Sequence, residues 1–189
     1  MIRRHDASPF LPGAHVFPGG RLDDGESAAA AAIRELQEET GIALSIDALI
    51  PFARWRTPIG EPRRFDARFF AARMPADQVP VHDPRETTGG EWLAPSDAIS
   101  RCLRREIALP PPTWTTLREI EPLRDVEAIL AWARTREVAV REPRLFVRGD
   151  RRLLVLPGDP LCDEAAVEPP RSETRFELRH DRWIAVEER

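Results

Sequence analysis

The stretch Gly19 to Ile42, GGRLDDGESAAAAAIRELQEETGI, limits what this chain can become more than any other part of it. Ser27 is placed to cap a helix, alanines fill the first turns, and Gly41 stops it, so the pattern predicts a helix over residues 27–40. On a wheel of about 3.6 residues per turn, Ala29, Ile33, Leu36 and Thr40 fall on one face that can bury. Glu35, Glu38 and Glu39 are expected on the opposite face. Acidic side chains at these spacings repel, at about 0.2–0.5 kcal/mol per pair. The helix dipole adds about 0.3–1 kcal/mol against each anion in the C-terminal half. A solvated acidic face is one reading of such a cluster. The other is a hard-oxygen site suited to Mg2+ or Mn2+. Arg34 lies next on the wheel, where it can hold a carboxylate, and Pro18-Gly19-Gly20 lets backbone approach a ligand closely because glycine has no Cβ.

Gly20, Glu26, Arg34, Glu35, Leu36, Glu38, Glu39, Gly41 and Ile42 fit every fixed position of the pattern G-x5-E-x7-R-E-U-x-E-E-x-G-U, with U aliphatic. In this the chain resembles the Nudix hydrolases. The resemblance implies an α/β fold, an α/β/α sandwich with a mixed sheet and the signature helix beneath one face of the active cleft. It implies that Glu35, Glu38 and Glu39 ligate Mg2+ or Mn2+ with the Gly20 carbonyl. Arg34 would orient a glutamate, and Glu26 would support the ligands from behind. It implies cleavage of a nucleoside diphosphate linked to another group, by water attack on phosphorus. Two residues are candidates for the general base, Glu35 and the loop acid Glu86 in ETTGGEW.

Three outer segments, ARWRTPIGEPRRFDARFF (53–70), EWLAPSDAI (91–99) and LPGDP (156–160), together with GAHVFPGGRLD (13–23), extend the similarity over most of the chain. They resemble a nudix hydrolase 19-type branch that includes animal coenzyme A diphosphatases. This implies coenzyme A or acyl-CoA as substrate, cleaved to 3′,5′-ADP and phosphopantetheine. Two departures stand against it: the insertion that animal members carry within the signature is absent, and a motif of another coenzyme A-cleaving branch is not recognisable upstream of the glycine turn. A 3′-phosphate needs a cationic partner, for which Arg63 and Arg64 are candidates. Trp55 and Phe65 are candidates either for stacking on adenine or for core packing. ADP-ribose or a dinucleotide is the alternative substrate class, and a non-catalytic ligand-binding module is the alternative outside enzymes.

Composition closes off other classes. The chain has no Lys, Asn or Tyr, so all 28 basic residues are arginine, a bias that a GC-rich genome explains. Against 32 acids they leave a net charge of −4, which argues against a nucleic-acid coat. No apolar run approaches a membrane span, and residues 1–13 lack a signal-peptide core. Cys102 and Cys162 are too few for a disulfide framework, so the cytoplasm is the expected compartment.

Strands are expected at 49–56, 65–73 and 91–93, and helices at 95–105, 114–120 and about 126–133. Hairpins are expected across Gly149-Asp150 and His180-Asp181. The texture divides the chain into a hydrolase domain at 1–135 and a β-rich extension at 136–189, packed on the same domain. Three roles are open to the extension: covering the cleft, closing the sheet or making a homodimer contact. In the family Arg3-Arg4 would follow two strands, so roughly 15 residues are expected to be missing ahead of it, with an uncovered sheet edge left behind.

Overall fold

The computed structural model describes residues 1–8, 10–61, 63–81, 87–162 and 173–186. Strand β1 (Ile2–Arg4) lies between β2 (His15–Val16) and β5 (Thr87–Gly90), antiparallel to both. Helix α1 (Ala28–Thr40) follows β2. Strands β3 (Ile50–Arg56) and β4 (Asp66–Ala71) form an antiparallel pair. The other edge of β3 carries β6 (Val140–Arg141) in parallel, which makes this second sheet mixed. Helices α2 (Pro95–Leu103), α3 (Pro111–Ile120) and α4 (Val126–Thr135) lie between β5 and β6. A four-stranded antiparallel meander closes the chain: β7 (Arg144–Arg148), β8 (Arg151–Val155), β9 (Arg175–Arg179) and β10 (Arg182–Val186).

One expectation changes. The strand expected at 91–93 lies earlier, at Thr87–Gly90, where two glycines oppose Ile2 and Arg3 and the Arg3 guanidinium donates to Thr88 Oγ1 at 2.7 Å. The strand that carries Arg3-Arg4 is paired on both sides, which leaves β2 and β5 as the outer strands of this sheet. Both hairpins form as expected. Their turns contain Gly149 (φ 61°) in one and His180 and Asp181 (φ 49° and 60°) in the other, the left-handed geometry that tight hairpins require.

Residues on both sides of position 136 contribute to one core. Leu154, Leu156 and Phe176 from the C-terminal meander pack in one cluster with Phe52, Trp55, Ile99, Trp114 and Leu117. Polar ties reinforce this: Arg141 donates to the buried Glu119 at 2.6 Å, and Trp114 Nε1 donates to Glu173 at 3.0 Å.

LPGDP supplies a structural anchor. Asp159 is 2% exposed and accepts hydrogen bonds from Arg175 Nε and Nη2, the Thr174 hydroxyl and the Leu161 N–H. Burial pushes its carboxyl upward, but these donors together outweigh it and hold it below the ordinary carboxylate value. A depressed folded-state pKa contributes stability above the unfolded value, near pH 4, and that contribution is lost as the pH falls through the folded value. Asp159→Asn is therefore expected to cost about 3 kcal/mol at pH 7, with the gap to wild type closing below about pH 4. Urea melts across pH check this; a gap constant down to pH 3 would refute the ion-pair account.

Candidate active site

Helix α1 starts and stops where local chemistry dictates. The Ser27 hydroxyl accepts the Ala30 N–H at 3.2 Å, and Gly41 takes a left-handed φ of 71° while its N–H reaches Gln37 O at 2.8 Å. The acidic face does not sit wholly opposite the buried one. Ala31, Glu39 and Thr40 are the helix's buried residues, and Glu39 is only 5% exposed. The cause is the Pro18-Gly19-Gly20 turn, which lies over this edge of the helix: Glu39 Oε2 accepts the Gly19 N–H at 2.8 Å. Glu38 remains at the surface, with its side chain 52% exposed.

Gly20 meets the helix more closely still. A Cβ at this position would fall 2.2 Å from the carboxyl carbon and both oxygens of Glu35, so only glycine leaves that carboxylate its place. Arg34 gathers the remaining acids. Its Nε and Nη2 grip Glu26 at 3.1 and 2.9 Å in a two-pronged contact, and its Nη1 donates to Glu35 at 2.9 Å and Glu38 at 3.1 Å. Nη2 also donates to the Arg21 carbonyl at 2.8 Å, tying the helix to the glycine turn. The bonds to Glu26 and then Glu35 raise the Arg34 pKa, and the same guanidinium lowers that of Glu26, helped by the Asp23 N–H.

One guanidinium thus hydrogen-bonds three carboxylates and has a fourth, Asp23, at 3.6 Å, an arrangement with surplus negative charge. Among the described residues no three acidic side chains are arranged so that they could already hold a metal ion: Glu35 and Glu38 turn to Arg34, and Glu39 turns to Gly19. The donor set nevertheless fits a hard divalent cation. It consists of carboxylate oxygens, it is drawn from one helix end, and backbone packs against it in a cradle that a Cβ would fill.

The other sequence candidates separate. Trp55 is buried in the core with the Arg141 guanidinium over its ring at 5.7 Å, so of its two readings core packing is the one observed. Arg64 donates to Glu142 at 2.6 Å and to the Thr57 carbonyl at 3.1 Å, so its guanidinium is already engaged. Arg63 is exposed and makes no hydrogen bond or ion pair among the described residues. Phe65 is half-buried, with the Phe10 ring 5.1 Å away and the Arg21 guanidinium 5.8 Å from its centroid. Glu86 lies outside the described residues. Phe10, Arg21 and Glu142 are not candidates on sequence grounds; Arg21 alone has a visible cue, since it directly follows Gly20.

The NUDIX domain model matches residues 1–129, more than half of the chain. The chain belongs to the NUDIX family. A Caenorhabditis elegans relative is 24% identical over 213 residues, covering 90% of this chain and 72% of its own. The human protein named acyl-coenzyme A diphosphatase NUDT19 is 32% identical over 120 residues, covering 60% of this chain but only 32% of its own length. Among solved structures, a NUDIX hydrolase from Alicyclobacillus acidocaldarius superposes with a TM-score of 0.63 at 21% identity, over 73% of this chain and 88% of that one. The Nudix fold is thus shared, and the chain carries the family's hydrolase domain. No described helix is long and apolar enough to cross a membrane.

Proposed function

We propose that this Nudix protein is a hydrolase dependent on Mg2+ or Mn2+ that cleaves the diphosphate of a nucleoside diphosphate-linked small molecule, with coenzyme A or an acyl-CoA as substrate. The observation that carries the reading is the Arg34-centred cluster of Glu26, Glu35 and Glu38 against the Gly19-Gly20 turn. Glu35, Glu38, Glu39 and the Gly20 carbonyl would hold the cation. When bound, it supplies charge neutralisation at the diphosphate oxygens and acidifies the attacking water. The chain's own part is placement. Gly19 fixes Glu39 through its N–H, and Arg34 restrains Glu35 and Glu38 while Glu26 fixes Arg34. Glu35 is the general-base candidate within the cluster, and Glu86 remains the loop alternative.

The coenzyme A assignment draws on similarity to the human acyl-coenzyme A diphosphatase. One observation favours the second reading, ADP-ribose or a dinucleotide: Arg64, a candidate for the 3′-phosphate, is held by Glu142, which leaves Arg63 for that contact. Incubation with coenzyme A, ADP-ribose and dinucleotides in Mg2+ or Mn2+, with products weighed by mass spectrometry, separates the two. Coenzyme A plus water is expected to yield 3′,5′-ADP and 4′-phosphopantetheine. AMP from ADP-ribose, with coenzyme A intact, would overturn the assignment.

A further inference from the structure

We infer that Phe10, Phe65 and Arg21 form a stacking subsite for the nucleobase of the substrate. The inference rests on the nucleotide chemistry proposed above and assigns residues to it that the signature does not contain. Phe10 is 44% exposed, and a single exposed phenylalanine is ordinary. Several observations together set this one apart.

The backbone beside it is unusual. Leu11, the next residue, has φ of 52°, a left-handed conformation that a bulky side chain rarely adopts. The Phe10 carbonyl is bonded twice, by Arg4 Nε at 3.0 Å and by the Ser8 hydroxyl at 3.0 Å, and Arg4 Nη2 in turn donates to Ser8 at 2.9 Å. Phe65 is anchored as firmly. Its N–H donates to Thr57 Oγ1 at 3.0 Å, its carbonyl accepts the Thr57 N–H at 2.9 Å, and the preceding Arg64 is pinned to Glu142. Two aromatic rings on separately tethered backbones meet at 5.1 Å and 46°, with Phe10 the exposed member of the pair and so the one a base would cover. This is a platform fixed before any ligand arrives, which lowers the ordering cost of binding.

Its position names the ligand. Arg21 carries its guanidinium over Phe65 and makes no ion pair among the described residues. Its own carbonyl is held by Arg34, and its neighbour Gly20 touches Glu35. Consecutive Cα atoms are about 3.8 Å apart, so one residue and one arginine side chain separate the acidic cluster from the aromatic face. A nucleotide has the same order of parts, with phosphates at one end, a ribose between, and a π face at the other. Arg21 can meet the phosphate charge on one side and the base on the other.

The test is calorimetric binding of ADP and of inorganic pyrophosphate to wild type, Phe10→Ala, Phe10→Leu and Phe65→Ala. ADP affinity is expected to fall about tenfold or more in the alanine variants, and Phe10→Leu, which keeps apolar bulk without a π face, should behave like Phe10→Ala. Pyrophosphate affinity should not change. Unchanged ADP affinity, equal losses for both ligands, or wild type that binds pyrophosphate but not ADP overturns the subsite. So does a dimer that Phe10→Ala dissociates while ADP binding persists. If ADP binding responds as expected but the wild type hydrolyses no diphosphate, the subsite stands and the hydrolase reading falls.

Discussion

Glu38→Gln is expected to lower kcat about 100-fold or more while the melting temperature stays within about 2 °C of wild type. The separation of the two readouts follows from where Glu38 sits. Its side chain is 52% exposed, and its bond to Arg34 is one of several that hold that guanidinium, the others going to Glu26, Glu35 and the Arg21 carbonyl. An exposed pair of this kind contributes little to folding, and removing one of three neighbouring negative charges relieves repulsion within the helix end. A large loss of turnover at unchanged stability would therefore point to the replacement of an anionic ligand of the proposed cation by a neutral amide. A second readout is independent of catalysis. Mn2+ that binds the folded state raises the melting temperature by mass action, and this rise should shrink in Glu38→Gln. Wild-type turnover with an undiminished Mn2+ response would remove Glu38 from the proposed ligand set. Glu39→Gln is a poorer probe, because Glu39 is buried against the Gly19 N–H and its replacement mixes folding with function.

What can be read from the sequence is what neighbouring residues decide among themselves. Ser27 and Gly41 bound α1 because cap bonds reach only three or four residues, and the Gly149-Asp150 and His180-Asp181 turns sit between strands that pair at once. The extent of β5 and the burial of Glu39 depend instead on partners far along the chain, β1 in one case and the glycine turn in the other. A helical wheel treats every polar position as outward, and it has no way to register a backbone N–H arriving from 20 residues away. The same limit explains Arg64. A pair of arginines beside a Phe-rich strand reads as a phosphate contact until Glu142, 78 residues later, takes one of them. LPGDP carries a branch resemblance in the sequence, and in the fold its Asp159, just past the end of β8, holds a buried ion pair with Arg175 of β9.

Two adjacent glycines should respond to alanine in opposite ways, and this contrast probes the cluster most directly. Gly19 has φ of 153° with nothing within 4 Å of where a Cβ would stand, so alanine there meets backbone strain without a collision. Gly19→Ala should lower the melting temperature and weaken the turn that carries the Glu39 contact. Gly20 shows the reverse. Its backbone is not left-handed, but its Cβ would overlap the Glu35 carboxylate at 2.2 Å. That carboxylate is the far end of a flexible side chain, so it can swing aside cheaply, and the fold should lose less than about 1 kcal/mol. Its function should suffer far more, because a displacement of about 1 Å in a reacting or ligating group can reduce turnover about 100-fold. Gly20→Ala is thus expected to melt close to wild type and to hydrolyse its substrate at about a hundredth of the rate. Steady-state kinetics beside a thermal melt decide it: wild-type kcat in Gly20→Ala would mean that the position of the Glu35 carboxylate against this turn is not what the chemistry requires.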